Sequence, residues 1–145
     1  MAAEAVGADG RVIGVDRAAV DEPLGLAQVS TLEADLGDPG LPQLVTQALG
    51  GLADVVLSDA APKLTGIRAS DRALEEELLE AVVKLLPQVL RPGGDLLLKI
   101  LEGPEAQAIE KGLRTRFARA KTHKPSASRK GTSERYLLAR DFRLT

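Results

Sequence analysis

"VVLSDAAPKLTG", residues 55 to 66, runs through three apolar residues and a serine to an acid, Asp59, then through two alanines and a proline into a polar loop. A continuous apolar run of this length, stopped by an acid and a proline, reads as a buried strand over 53–59 with both sheet faces covered. Strands of that kind belong to α/β folds, whose ligands sit beyond the carboxyl ends of the strands. A strand ending on a carboxylate at that edge raises the question of what the carboxylate faces.

Outward from this stretch the chain alternates strand and helix. "GRVIGVD" (10–16) predicts a strand ending on Asp16, and "QVSTLEAD" (28–35) another ending on Asp35. "LPQLVTQALGG" (41–51) predicts a short amphipathic helix with Leu41, Leu44, Val45, Ala48 and Leu49 on one face, ended by Gly50 and Gly51. A longer helix is expected over 70–90, capped by Ser70 or Asp71, with its apolar stripe on Leu74, Leu78, Val82, Leu85 and Val89 and Pro87 in its last turn. "RPGG" (91–94) reads as a turn and "DLLLKIL" (95–101) as a buried strand carrying one charge, Lys99. Pro104 opens a further helix with Ile109 and Leu113 on one side, and two last strands are expected near 117–123 and 134–140. The alternation predicts an α/β fold on a mostly parallel sheet, with Asp16, Asp35 and Asp59 collected along one edge.

The totals agree with one ordinary globular domain: 145 residues, 44% hydrophobic and 28% charged, with a core of Leu, Val, Ile and Ala because aromatics make up 2%. The absence of cysteine excludes disulfides and thiolate metal sites. No cluster has metal-ligand spacing, and no apolar run reaches the length of a membrane span, so a cytoplasmic location is the expectation. The net charge of −2 hides a division. Residues 111–145 hold 11 of the 19 Lys and Arg and two of the 21 acids, which gives +9 there and −11 in 1–110. That division fits a face for a polyanion as well as it fits a solvated basic terminus.

Asp16, at a strand end, is suited to accept hydrogen bonds from ribose hydroxyls, and Asp35, one strand over, from an adenine amino group; both also suit caps and turns. Lys99 says more. An ammonium inside "LLLKIL" is costly to bury without a partner, and Asp59 at the end of a neighbouring strand is the natural one.

"SDAAP", "LRPGGDLLLKI" and "KPSASRKGTSERY" (124–136), spread over almost the whole chain, resemble the RrmJ/FtsJ family of S-adenosylmethionine-dependent ribose 2′-O-methyltransferases. The resemblance implies a Rossmann-like methyltransferase domain over 1–145. It matches Asp59, Lys99 and Glu134 to three members of a Lys-Asp-Lys-Glu catalytic set, and Asp16, Asp35 and Asp59 to cofactor contacts. It further implies an RNA substrate, a uridine of large-subunit ribosomal RNA. Lys63, Arg68, Lys121, Lys124, Arg129 and Lys130 stand where the family's RNA surface would be, while Tyr136 and Phe117 read as packing residues and His123 as structural or surface. The family's first strand, its "GAAPGG" loop and its first catalytic lysine have no counterpart in these residues, so the expectation is a domain lacking its first strand, either N-terminally truncated or completed by a strand from a partner chain. Two other readings stand beside transfer of a methyl group: a non-catalytic RNA-binding remnant, and a fragment without cofactor affinity.

Overall fold

The computed structural model describes residues 7, 9–17, 28–59, 65–100, 103–124 and 135–143. Six strands and three helices follow in the order β1 (Val12–Asp16), β2 (Val29–Glu33), α1 (Leu41–Leu49), β3 (Ala53–Ser58), α2 (Arg68–Val89), β4 (Leu90–Ile100), α3 (Pro104–Arg114), β5 (Phe117–His123) and β6 (Arg135–Phe142). The chain divides into two compact units, 1–52 and 53–145.

In the first unit β1 and β2 pair in parallel, with Val12 opposite Val29 and Asp16 opposite Glu33. α1 begins with proline in its first turn and ends at Gly50, whose φ of 79° is the left-handed conformation that closes a helix. Leu41 and Val45 are its buried residues, while Leu44, expected on the same face, is 46% exposed.

The second unit is a four-stranded sheet in the order β3-β4-β6-β5. β3 and β4 are parallel, whereas β6 lies antiparallel to both β4 and β5. The sheet is therefore mixed and not mostly parallel: β6 turns back between its neighbours, and an antiparallel return needs no helical crossover. Leu96, Leu98 and Ile100 of β4, with Leu137 and Ala139 of β6, are buried on one face. On that side α2 packs on β4 and α3, and α3 packs on β5. Each leucine so buried contributes about 2 kcal/mol.

Four local expectations are corrected. β3 is an edge strand with one open face, since Val55 and Leu57 are 52% and 64% exposed; a continuous apolar run does not by itself report how many faces are covered. β2 ends at Glu33, so Asp35 closes no strand but makes a turn in which its Oδ1 accepts the Gly37 N–H at 2.9 Å. The buried residues of α2 are Leu79, Val82, Leu86 and Val89, and Leu74 is exposed. That helix begins at Arg68 with no side-chain cap, and Asp71, in its first turn, accepts N–H groups of Thr65 and Gly66, ahead of the helix, at 2.7 and 3.2 Å. Those bonds, with the Thr65 hydroxyl, hold the Asp71 carboxyl below its ordinary value.

"RPGG" is no turn. It lies inside β4 as a bulge: Ala53 pairs with Leu90 but Val55 with Asp95, so β4 spends five residues where β3 spends two. Gly93 takes φ 82° there, and a Cβ on Gly94 would stand 2.9 Å from the Asp54 carbonyl oxygen. The bulge shifts the rest of β4 into the register that the site requires.

Candidate active site

β3 and β4 run side by side to the pair Ser58–Leu98, so the next residues along, Asp59 and Lys99, are neighbours at the carboxyl ends of two parallel strands. Alternation along β4 buries Leu98 and Ile100 beneath the helices and turns Lys99 to the other face. There its Nζ lies 3.3 Å from Asp59 Oδ1. The lysine side chain is 14% exposed and the carboxylate 75%, so a mostly covered cation meets an acid open to solvent. The partnership expected from the two motifs is present in the geometry.

The row continues across the sheet. Lys99 stands opposite Tyr136 on β6, and Tyr136 opposite His123 on β5. Directly opposed residues share a face. Asp59, Lys99, Tyr136 and His123 thus form one line over four strands. Tyr136 and His123, read from sequence as packing and surface residues, belong to this line; only the strand registers reveal it. Phe117 does pack, its ring 5.1 Å from that of Phe142.

Of the other expected residues, Lys121 and Lys124 are exposed on β5 and just beyond it, and Arg68 is exposed at the start of α2. Glu134, Lys63, Arg129 and Lys130 lie outside the described residues. Asp16 and Asp35 belong to the first unit. Asp16 ends β1 with its carboxylate exposed, and Asp35 carries Arg17 at 3.6 Å besides its turn bond. A carboxylate offers about four acceptor positions, so the two contacts of Asp35 do not exhaust its capacity to accept.

A second charged cluster lies beneath the opposite face, and sequence reasoning missed it. Glu110 of α3 is 8% exposed. Its Oε1 accepts from Thr122 Oγ1 at 2.7 Å and Arg114 Nη2 at 3.0 Å. Arg135, at the start of β6, brings Nη2 to 2.8 Å from Oε2, close enough for an ion pair but not aligned as a hydrogen bond. Burial penalises the charged carboxylate, but the bonds from Thr122 and Arg114 and the charges of Arg135 and Arg114 outweigh it and hold the carboxyl below its ordinary value. The only signal in the sequence was an acid at a helical spacing from Ala106 and Leu113.

The model of the FtsJ-like methyltransferase family matches residues 1–142. Ribosomal RNA large subunit methyltransferase E of Methanothermobacter thermautotrophicus is 38% identical over 143 residues, covering 99% of this chain and 67% of that protein. The protein of the same name from Methanosphaera stadtmanae is 36% identical, with 99% and 70% covered. The one from Rhodopseudomonas palustris is 39% identical, with 99% and 60% covered, so the chain spans well short of the full length of these relatives. Among solved structures, a ribosomal RNA methyltransferase from Plasmodium falciparum superposes with a TM-score of 0.76 at 22% identity, over 91% of this chain and 72% of that one.

Proposed function

The chain belongs to the FtsJ-like methyltransferase family, and from that premise we propose that it carries the reacting part of an enzyme that methylates a ribose 2′-hydroxyl of large-subunit ribosomal RNA, at a uridine. The observation that carries the reading is the Lys99–Asp59 pair, 3.3 Å apart at the carboxyl ends of parallel strands. The relatives bear the name of ribosomal RNA methyltransferases, which supports RNA as the substrate.

The methyl donor in this reading is S-adenosylmethionine, which supplies a sulfonium methyl as electrophile when bound. Asp16 would offer its carboxylate to the donor's ribose hydroxyls, Asp35 to the adenine amino group, and Asp59 would face the donor. Lys99 Nζ, in its neutral form, would take the proton of the ribose 2′-hydroxyl and so prepare that oxygen to accept the methyl group that the donor would supply. The proton stays on Nζ, and Asp59 Oδ1 stabilises the ammonium so formed. Glu134 is the third catalytic residue that the family resemblance implies. Lys63, Arg68, Lys121, Lys124, Arg129 and Lys130 hold RNA phosphates, and binding is salt-dependent for that reason. The cytoplasm is the proposed place of the reaction.

The test has two parts. Calorimetric titration with S-adenosylmethionine should give micromolar binding. Transfer of labelled methyl to large-subunit ribosomal RNA should then be lost on Asp59→Ala. A folded chain that binds no donor, or an Asp59→Ala variant as active as its parent, rejects the assignment.

A further inference from the structure

Two rows along the sheet from Lys99, on the same open face, Arg119 of β5 stands directly opposite Arg140 of β6. Both are exposed, and among the described residues neither has an acidic partner. Like charges placed directly opposite on neighbouring strands bring their Cβ atoms to about 5 Å and destabilise the pair. Alternation leaves no doubt about the face. Leu137 and Ala139 of β6 are buried under the helices, while Leu138 and Arg140 point away from them, as do Arg119, Lys121 and His123 of β5. Lys121 lies between the arginine row and the His123 row, opposite Leu138. Asp141, next in sequence, does not quench the arginines: its carboxylate is 3.6 Å from Arg143, and its N–H donates to Asp95 Oδ1.

We propose that Arg119 and Arg140 together clamp one phosphate of the RNA strand, a contact outside the reacting pair and additional to the basic residues assigned above. The proposal rests on the reading of RNA as substrate. Two guanidinium groups on one face give a planar, multidentate site for a phosphodiester, and the anion relieves the repulsion that the free protein carries. Four residues of strand separate this row from that of Lys99, about 13 Å at ~3.3 Å per residue. At ~3.4 Å of rise per phosphate in a stacked strand, that is on the order of four nucleotides from the reacting ribose. The clamp therefore fixes the direction in which the strand crosses the sheet, from the open edge at Asp59 toward β5, with Lys121 beneath its path.

The experiment measures binding of a fluorescently labelled RNA oligonucleotide by the whole chain over a range of salt, for Arg119→Gln, Arg140→Gln and the double variant. The affinity at low salt should fall about tenfold, and the slope of log affinity against log salt should shrink by about one. Because the two residues share a phosphate, each single variant should lose nearly as much as the double. The thermal midpoint should stay level or rise, since the opposed charges are gone. An unchanged salt slope in variants whose parent binds RNA overturns the clamp and leaves the methyltransferase reading standing. A parent chain that binds no RNA overturns both. Loss of RNA affinity by the variants in a chain that transfers no methyl group upholds the clamp and removes only the enzymatic reading.

Discussion

Replacing Lys99 with arginine separates charge from proton transfer. Arginine keeps the cation beside Asp59 but cannot give up its proton at any working pH. If Lys99 is the base, Lys99→Arg should lower methyl transfer by roughly 10²–10⁴-fold while binding of S-adenosylmethionine and the thermal midpoint hold. An active arginine variant would reduce Lys99 to a structural cation. Glu110 gives the opposite kind of prediction, in which stability moves first. Glu110→Ala leaves Arg114, Arg135 and Thr122 around a vacated site and should cost about 3 kcal/mol in denaturant unfolding. Glu110→Gln, which still accepts from Thr122, should cost about half of that. The folded-state pKa of Glu110 is depressed, so its contribution is complete above the ordinary value of 4.5 and is lost as pH falls through and below it. The stability difference between the parent and Glu110→Gln should shrink across that window; a constant difference would mean that the carboxylate's charge contributes nothing.

At the scale of elements, β4 carries both the bulge and the core. Gly94→Ala would push a Cβ against backbone oxygens of Asp54 and Arg91, which flexible side chains cannot relieve, and should cost about 2 kcal/mol. Because the same bulge sets the register of Lys99 against Asp59, that variant should lose activity even where it remains folded. A fully active Gly94→Ala chain would show that the register survives without it. The two faces of the sheet give a paired test. Leu96→Ala, at a fully buried position, should cost between about 2 and 5 kcal/mol. Leu57→Thr, at a position 64% exposed, should stay within about 0.5 kcal/mol. Equal losses at both positions would mean that the open face of β3 is covered in solution. The strands and helices themselves were legible because each repeats its apolar residues at its own period. What periodicity missed was phase: in α2 the expected stripe through Leu74, Leu78, Val82, Leu85 and Val89 shares Val82 and Val89 with the buried set Leu79, Val82, Leu86 and Val89, and only the neighbour packed against the helix chooses the rest.

At the scale of the whole molecule, the core is unevenly shared. Among the described residues, Leu41 and Val45 are the buried apolar residues of the first unit, and the other buried apolar side chains belong to the second. Hydrogen exchange should therefore open β1, β2 and α1 at much lower free energy than β4 and β6. Uniform protection across the chain would show that the first unit is held by more than its own core. The charge division has a matching reading, since the basic segment 111–145 supplies β5 and β6, whose open face carries Arg119, Lys121 and Arg140. RNA affinity should fall steeply with salt for that reason, whatever the base sequence.

From the sequence alone came the α/β class, the positions of the strands and helices to within a few residues, the basic end, and the pairing of Lys99 with Asp59. Each rests on local information: a period, a cap, or a charge too costly to bury alone. The tertiary structure decided the rest. It made the sheet mixed, turned "RPGG" into a bulge, left β3 with an open face, set Arg119 opposite Arg140, and buried Glu110 among three partners drawn from α3, β5 and β6. These are facts about which strand lies beside which and in what register. Residues far apart in the chain settle them together, by the backbone hydrogen bonds they satisfy and the apolar area they hide, and no single stretch of sequence holds that sum.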